Sequence, residues 1–72
     1  MSITYESISK ELEDIYKKRK FRLSLIENIY LPSEKYLIFK KEKISNGLNI
    51  SWWGIPIAET YRNDIYFLTR GN

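Results

Sequence analysis

Apolar residues recur at helical spacing over residues 4–19 and predict an amphipathic N-terminal helix. The stripe consists of Tyr5, Ile8, Leu12, Ile15 and Tyr16. Thr4 suits the N-cap position, and the acids of this segment come before its terminal lysines, as the helix macrodipole favours. The segment therefore offers one apolar face for packing against the rest of the chain.

The remaining chain alternates between apolar and polar residues, or clusters them in short runs, as strands do. We predict strands at 21–31, 37–45, 48–53 and 65–70. Asn46-Gly47 lies between the second and third of these runs, and it favours the type I′ turn of a two-residue hairpin. The sequence predicts an α+β fold over residues 1–72, in which the helix packs on an antiparallel sheet of three to four strands.

The hairpin register predicts which residues share a face of the sheet. The predicted core face carries Phe21, Leu23, Leu25, Ile29, Leu31, Leu37, Phe39, Leu48, Ile50 and Trp52. Glu27 is expected opposite Lys41, and Lys40 opposite Trp53. The other face combines apolar and charged residues, which leaves its role open.

Adjacent strand residues point to opposite faces, so Trp52 and Trp53 cannot both lie in the core. We predict Trp52 in the core and Trp53 on the outer face. There Trp53 could stack on Lys40, bind a nucleic-acid base or anchor a protein partner. Gly54–Ile57 would be an apolar docking loop or a kinked edge that covers the end of the sheet.

The mixed outer face is the first candidate for a binding surface, because apolar patches rimmed by polar residues often mark partner sites. The candidate partner-binding residues are Trp53, Tyr30, Ile38, Ile26, Ile44, Lys40, Arg22, Ile55 and Ile57. A homodimer interface, or cover by the C-terminal segment of the same chain, are the alternatives. A small protein-binding regulator or inhibitor is the function that this face predicts.

Basic residues form the second candidate surface, and the net charge of +3 permits a polyanionic partner. The candidate phosphate contacts are Lys17, Lys18, Arg19, Lys20, Lys41 and Lys43. Nucleic-acid binding is therefore the alternative function. The more conservative interpretation is that the cations at the end of the helix neutralise its dipole and that the other lysines are ordinary solvated surface residues.

The chain has no His and no Cys, which removes imidazole and thiolate chemistry, disulfides and the usual zinc ligands. We expect neither an enzyme nor a cofactor or metal, and no small-molecule substrate is inferred. A small RNA-cleaving enzyme of the toxin type is the third hypothesis. It would use Tyr61, Arg62, Tyr66 and Arg70 near the C-terminus.

The longest uncharged stretch, residues 44–58, is too short and too polar to span a membrane. The N-terminus lacks the basic and apolar regions of a secretory signal, so we expect a cytoplasmic protein. The chain is rich in Ile, Lys, Asn and Tyr and has no Val. This usage suggests an AT-rich genome, such as that of a virus or another mobile element.

Overall fold

The computed structural model describes residues 3–70 and shows two α-helices packed on a four-stranded sheet. The elements in chain order are α1 (Tyr5–Lys18), a 3₁₀ turn (Leu23–Leu25), β1 (Ile26–Pro32), α2 (Ser33–Ser45), β2 (Ser51–Trp52), β3 (Ile55–Thr60) and β4 (Tyr66–Thr69). The predicted α+β class is confirmed. In this part of the chain, neither helix is long and apolar enough to cross a membrane.

The sheet has the strand order β2-β3-β1-β4 and is mixed, whereas the sequence predicted an antiparallel sheet. β1 runs parallel to β3 and antiparallel to β4, and β2 runs antiparallel to β3. The parallel pair arises because a helix, α2, follows β1 and carries the chain back before β3 begins.

Helix α1 forms where the sequence predicts it and is capped by Thr4. The Ser7 N–H donates to Thr4 Oγ1 at 3.1 Å, and the Thr4 N–H donates to Ser7 Oγ at 3.0 Å. This reciprocal capping box satisfies two backbone donors at the helix start. Ile8 and Leu12 of the predicted stripe are fully buried.

Residues 37–45 are helical, so the predicted strand and the hairpin at Asn46-Gly47 are wrong. Gly47 has φ 67° and occupies the left-handed position after the end of α2. The Leu48 N–H donates to Lys43 O at 2.9 Å, and the Gly47 N–H donates to Ile44 O at 3.0 Å. These two bonds form a Schellman motif, which is the other common use of a positive-φ glycine.

Two lysines lie on the inner side of α2, where an amphipathic helix usually carries apolar residues. The sequence of α2 therefore lacks a clear helical pattern of apolar positions. Lys35 Nζ lies 2.7 Å from Glu11 Oε1, and this ion pair joins α2 to α1. Lys43 Nζ lies 5.5 Å from the ring centroids of both Tyr5 and Phe39. Long lysine stems can cover apolar surface while their ammonium groups reach polar partners or aromatic faces.

The hairpin turn is at Trp53-Gly54, seven residues beyond the predicted one. Trp53 has φ 53° and Gly54 has φ 78°, as both central residues of a type I′ turn require. Trp52 pairs with Ile55 across this turn. The predicted strand at 48–53 shortens to Ser51–Trp52, and the next strand is β3, which the sequence left unassigned.

The core lies between the sheet and both helices. Its buried residues are Ile8, Leu12, Ile26, Ile29, Leu31, Phe39, Trp52, Ile55, Ile57 and Phe67. Phe21 and Ile50 of the predicted core face are partly buried against this cluster. Leu23, Leu25 and Leu37 are exposed, because a 3₁₀ turn and a helix replace the strands that would have turned them inward. Leu48 is exposed in the loop between α2 and β2.

Lys20 takes the left-handed position after α1, with φ 54°. Its N–H donates to Lys17 O at 3.3 Å and the Phe21 N–H donates to Tyr16 O at 3.2 Å, so this end is also a Schellman motif. Lys20→Gly should therefore stabilise the protein by about 1 kcal/mol, because a side chain is disfavoured in this conformation.

Thermal unfolding followed by circular dichroism would check this, with an expected rise in Tm of about 4–8 °C. Gly47→Ala is the matched control with the opposite sign, since a Cβ there meets nothing within 4 Å and only backbone strain changes. A lower Tm for Lys20→Gly would contradict the left-handed assignment.

Candidate functional site

Three of the predicted partner-binding residues lie in the core and not on an outer face: Ile26, Ile55 and Ile57. Ile55 and Ile57 both lie on the inner side of β3, because the turn at Trp53-Gly54 sets a different register from the predicted one. Ile26 precedes a register shift in β1, which brings it to the same side as Ile29. These isoleucines are therefore removed from the candidate surface.

The other predicted partner-binding residues are spread over several surfaces. Tyr30 lies half-buried on β1, and Ile38, Lys40 and Ile44 belong to α2. Ile44 is exposed, and Ile38 packs partly against the core. Lys40 Nζ lies 6.0 Å from the ring centroid of Tyr36, one turn earlier in α2, so the predicted pairing with Trp53 is wrong.

Among the predicted partner-binding residues, Trp53 is the one that lies most clearly at the surface. Its side chain is 75% exposed at the tip of the β2–β3 hairpin. It also has a positive φ of 53°, which costs an ordinary residue about 1–2 kcal/mol and is usually left to Asn, Asp or Gly in such turns. A strained and exposed tryptophan is the kind of outlier that is found at binding sites.

A cleft of about 240 Å³ opens beside Trp53, and we call it the tryptophan cleft. Its lining residues are Glu13, Tyr16, Lys17, Leu23, Trp52 and Trp53. The Trp52 ring meets Tyr16 edge-on at 6.1 Å and Trp53 edge-on at 6.3 Å. Trp52 also packs against Phe67 at 6.4 Å, so a series of aromatic rings links the core to the hairpin tip.

An ion pair lies at the rim of the tryptophan cleft, where Lys17 Nζ is 2.8 Å from Glu13 Oε1. The hydrogen bond and charge of Lys17 hold the pKa of Glu13 below its usual value. The same hydrogen bond and the carboxylate charge raise the pKa of Lys17. Both groups therefore stay charged at neutral pH and give the apolar cleft a polar edge.

The predicted phosphate contacts are separated by the fold. A second cleft, of about 280 Å³, brings together four cations, Arg19, Lys20, Arg22 and Arg70, and is called the basic cleft below. Lys17 belongs to the rim of the tryptophan cleft, and Lys18 lines a neighbouring groove that also contains Arg19 and Asp64.

Lys41 and Lys43 lie on α2 and do not line the basic cleft. Lys41 lines a groove of about 500 Å³ between the N-terminal end of α1 and α2. That groove mixes Lys41 with Glu6 and Glu42, so it presents no field of one sign. Glu27 pairs with Arg70, at 3.1 Å between Oε1 and Nε, and not with Lys41 as predicted, because Lys41 is helical.

The four residues of the catalytic hypothesis do not converge on one point. The Arg62 guanidinium lies 5.7 Å from the Tyr66 ring centroid, whereas Arg70 follows the end of β4, four residues after Tyr66, and binds Glu27. Tyr61 is 97% exposed in the loop before β4. Among residues 3–70, no group of three or more acidic, His or Cys side chains is placed to hold a metal ion.

No protein-family model matches this chain, and searches of curated proteins and of solved structures find no match either. Function must therefore be inferred from the residues themselves. Sequence reasoning identified Trp53 but missed Glu13, Tyr16 and Leu23, which complete the cleft around it. The Trp53-Gly54 dipeptide before the alternating Ile55 and Ile57 is the signal that could have located the hairpin.

Proposed function

We propose that this protein is a small non-enzymatic binding module, of the regulator or inhibitor kind, that anchors a protein partner at Trp53 and the tryptophan cleft. The observation that carries this proposal is the 75% exposure of Trp53 in a left-handed conformation. Trp is among the residues most often found as binding hot spots. The backbone strain at Trp53 has a reason if the indole is needed at the hairpin tip for contact with another molecule.

Covering Trp53 would provide a substantial part of a binding energy. An exposed tryptophan at this level presents about 100–200 Å² that a partner can bury, worth about 2.5–5 kcal/mol. The ring is also held by its edge contact with Trp52, which is itself buried. A pre-positioned ring loses little conformational freedom on binding, so more of this energy appears as affinity.

The size of the tryptophan cleft favours a protein partner over a small-molecule substrate. Its volume of about 240 Å³ is below the range of about 300–1,000 Å³ that is common for small-molecule pockets. It can accept an apolar side chain from a partner while Trp53 packs on the partner's surface. The Glu13–Lys17 pair at the rim can then bind polar groups that surround the inserted side chain.

Peptides selected from a displayed random library on the wild-type protein provide a direct test. The selected peptides should bind Trp53→Ala about 30-fold more weakly, as expected for the loss of a hot-spot residue worth about 2 kcal/mol. Their binding should shift the indole N–H signals of Trp52 and Trp53 in NMR spectra. Dissociation constants can be measured by calorimetry on the full chain.

Tyr61→Ala is the matched control, since it removes an aromatic ring that is 97% exposed and does not line the cleft. It should leave peptide affinity unchanged. Peptides that bind Trp53→Ala as tightly as the wild type, or a library that yields no binding peptide, would contradict the proposal.

A further inference from the structure

The sheet has an outer face, on the side away from the core, that the described part of the chain covers only in part. Ile29, Leu31, Ile57 and Phe67 point inward and are buried. The residues between them point the other way, and none is buried: Asn28, Tyr30, Ala58, Tyr66 and Leu68. The tryptophan cleft lies on the opposite, helix-bearing side, because α1 supplies part of its wall.

Two tyrosines and an arginine lie together on this outer face. Tyr30 and Tyr66 are partners across β1 and β4, and their ring centroids are 6.0 Å apart with a tilt of 37°. The Arg62 guanidinium lies 5.7 Å from the Tyr66 ring centroid. Aromatic faces and guanidinium planes are the surfaces on which single-stranded bases stack without regard to sequence.

The basic cleft lies at the other end of the same pair of strands, at the edge of the sheet between β4 and the C-terminal end of α1. The Arg70 N–H donates to Leu25 O, and Thr69 pairs with Ile26 at the start of β1. Tyr66 begins β4 and Arg70 directly follows its end, four residues later, which is a separation of about 13 Å for extended chain. A short nucleic-acid strand could therefore contact the tyrosines and the basic cleft at the same time.

The charge around this path suits a polyanion. Its cations are Arg19, Lys20, Arg22, Arg62 and Arg70. Two carboxylates lie nearby: Glu27 is already paired with Arg70, and Asp64 lines the groove that contains Lys18 and Arg19. The balance is positive, so phosphates are attracted.

We propose that the outer face of β1 and β4 binds single-stranded nucleic acid, with bases stacked on Tyr30 and Tyr66 and phosphates bound by Arg62 and the basic cleft. This activity goes beyond the proposed protein-binding function and uses a different surface. The tryptophan cleft and the basic cleft share no lining residue, and neither Tyr30, Tyr66 nor Arg62 lines the tryptophan cleft, so each surface can be removed by substitution without the other.

Fluorescence anisotropy with labelled mixed-sequence oligonucleotides tests this proposal on the full chain. Single-stranded DNA and RNA should both bind at low salt, more tightly than duplex DNA, and the affinity should fall steeply as salt is raised. Tyr66→Ala should weaken binding about 5- to 150-fold, the range for loss of one stacking platform. Arg62→Glu changes an exposed residue, so it tests the same path with little risk to folding.

Trp53→Ala is the control, because Trp53 lines the tryptophan cleft and not the outer face. The variant should bind the oligonucleotides as the wild type does. If this variant loses peptide binding but still binds oligonucleotides, the nucleic-acid proposal is distinguished from the protein-binding proposal. The absence of wild-type binding at low salt, equal affinity for duplex DNA, or wild-type affinity in both Tyr66→Ala and Arg62→Glu would each overturn it. A preference for RNA over DNA would support it and show that the 2′-hydroxyl is contacted.

Discussion

Phe39→Ala is expected to lower the free energy of unfolding by about 3–5 kcal/mol. Phe39 is fully buried, and its ring contacts Tyr5 with 5.0 Å between centroids. It belongs to α2, so its removal opens a cavity between both helices and the sheet. A chain of this length has a total stability of about 4–11 kcal/mol, so much of the mutant population should be unfolded at moderate temperature.

Leu37→Ala is the matched control for this prediction. On a strand, Leu37 and Phe39 would share one face and both truncations would be costly. On the helix they separate, and Leu37 is 60% exposed, so its truncation should change stability by no more than about 0.5 kcal/mol. Urea unfolding followed by circular dichroism distinguishes the two. Similar large losses for both variants would argue that residues 37–45 are a strand.

Trp52→Ala is expected to cost a comparable amount, about 3–5 kcal/mol. Trp52 is only 7% exposed and has edge contacts with Tyr16, Trp53 and Phe67. Its loss removes the centre of the aromatic series that joins α1, the hairpin and β4. Urea unfolding followed by far-ultraviolet circular dichroism measures the change without relying on tryptophan emission.

The neighbouring tryptophan gives the control, since Trp53→Ala loses mainly one edge contact, worth about 0.5–1.5 kcal/mol. Fluorescence of Trp53→Phe and Trp52→Phe should show shielded emission from Trp52 and iodide-quenched emission from Trp53. Equal quenching of the two, or a larger stability loss for Trp53→Ala, would contradict their placement on either side of the surface.

The two proposed surfaces suit partners of different chemistry. The tryptophan cleft offers apolar area with a charged edge, which suits a folded or peptide surface. The outer face offers aromatic rings in a field of cations, which suits phosphates and bases. The two surfaces share no residue, so each can be tested by its own substitutions.

Features encoded by neighbouring residues could be predicted from the sequence. The extent of α1, its Thr4 cap and its buried stripe follow from spacings of three and four residues. The α+β class follows because one segment has apolar residues at helical spacing, while the rest of the chain has the short apolar or alternating runs of strands. The burial of Trp52 and exposure of Trp53 were also predicted, although a turn and not a strand places Trp53 outside.

Tertiary structure decided what local signals left ambiguous. Asn46-Gly47 suits both a hairpin and a helix end, because both need a left-handed glycine. The choice came from α2, because its inward-facing Lys35 and Lys43 reach Glu11 and the ring of Tyr5 only once α1 has packed beside them.

The position of the real hairpin followed from the same choice. Once residues 33–45 are helical, the strands left to pair are β2 and β3, and the turn falls at Trp53-Gly54 in spite of its strain. The cleft around Trp53 could not be predicted, because Glu13 and Tyr16 are about forty residues away in the sequence. By itself the sequence determined α1, the fold class and the exposed tryptophan. Long-range packing energy, which no local pattern records, decided α2, the sheet order and the site.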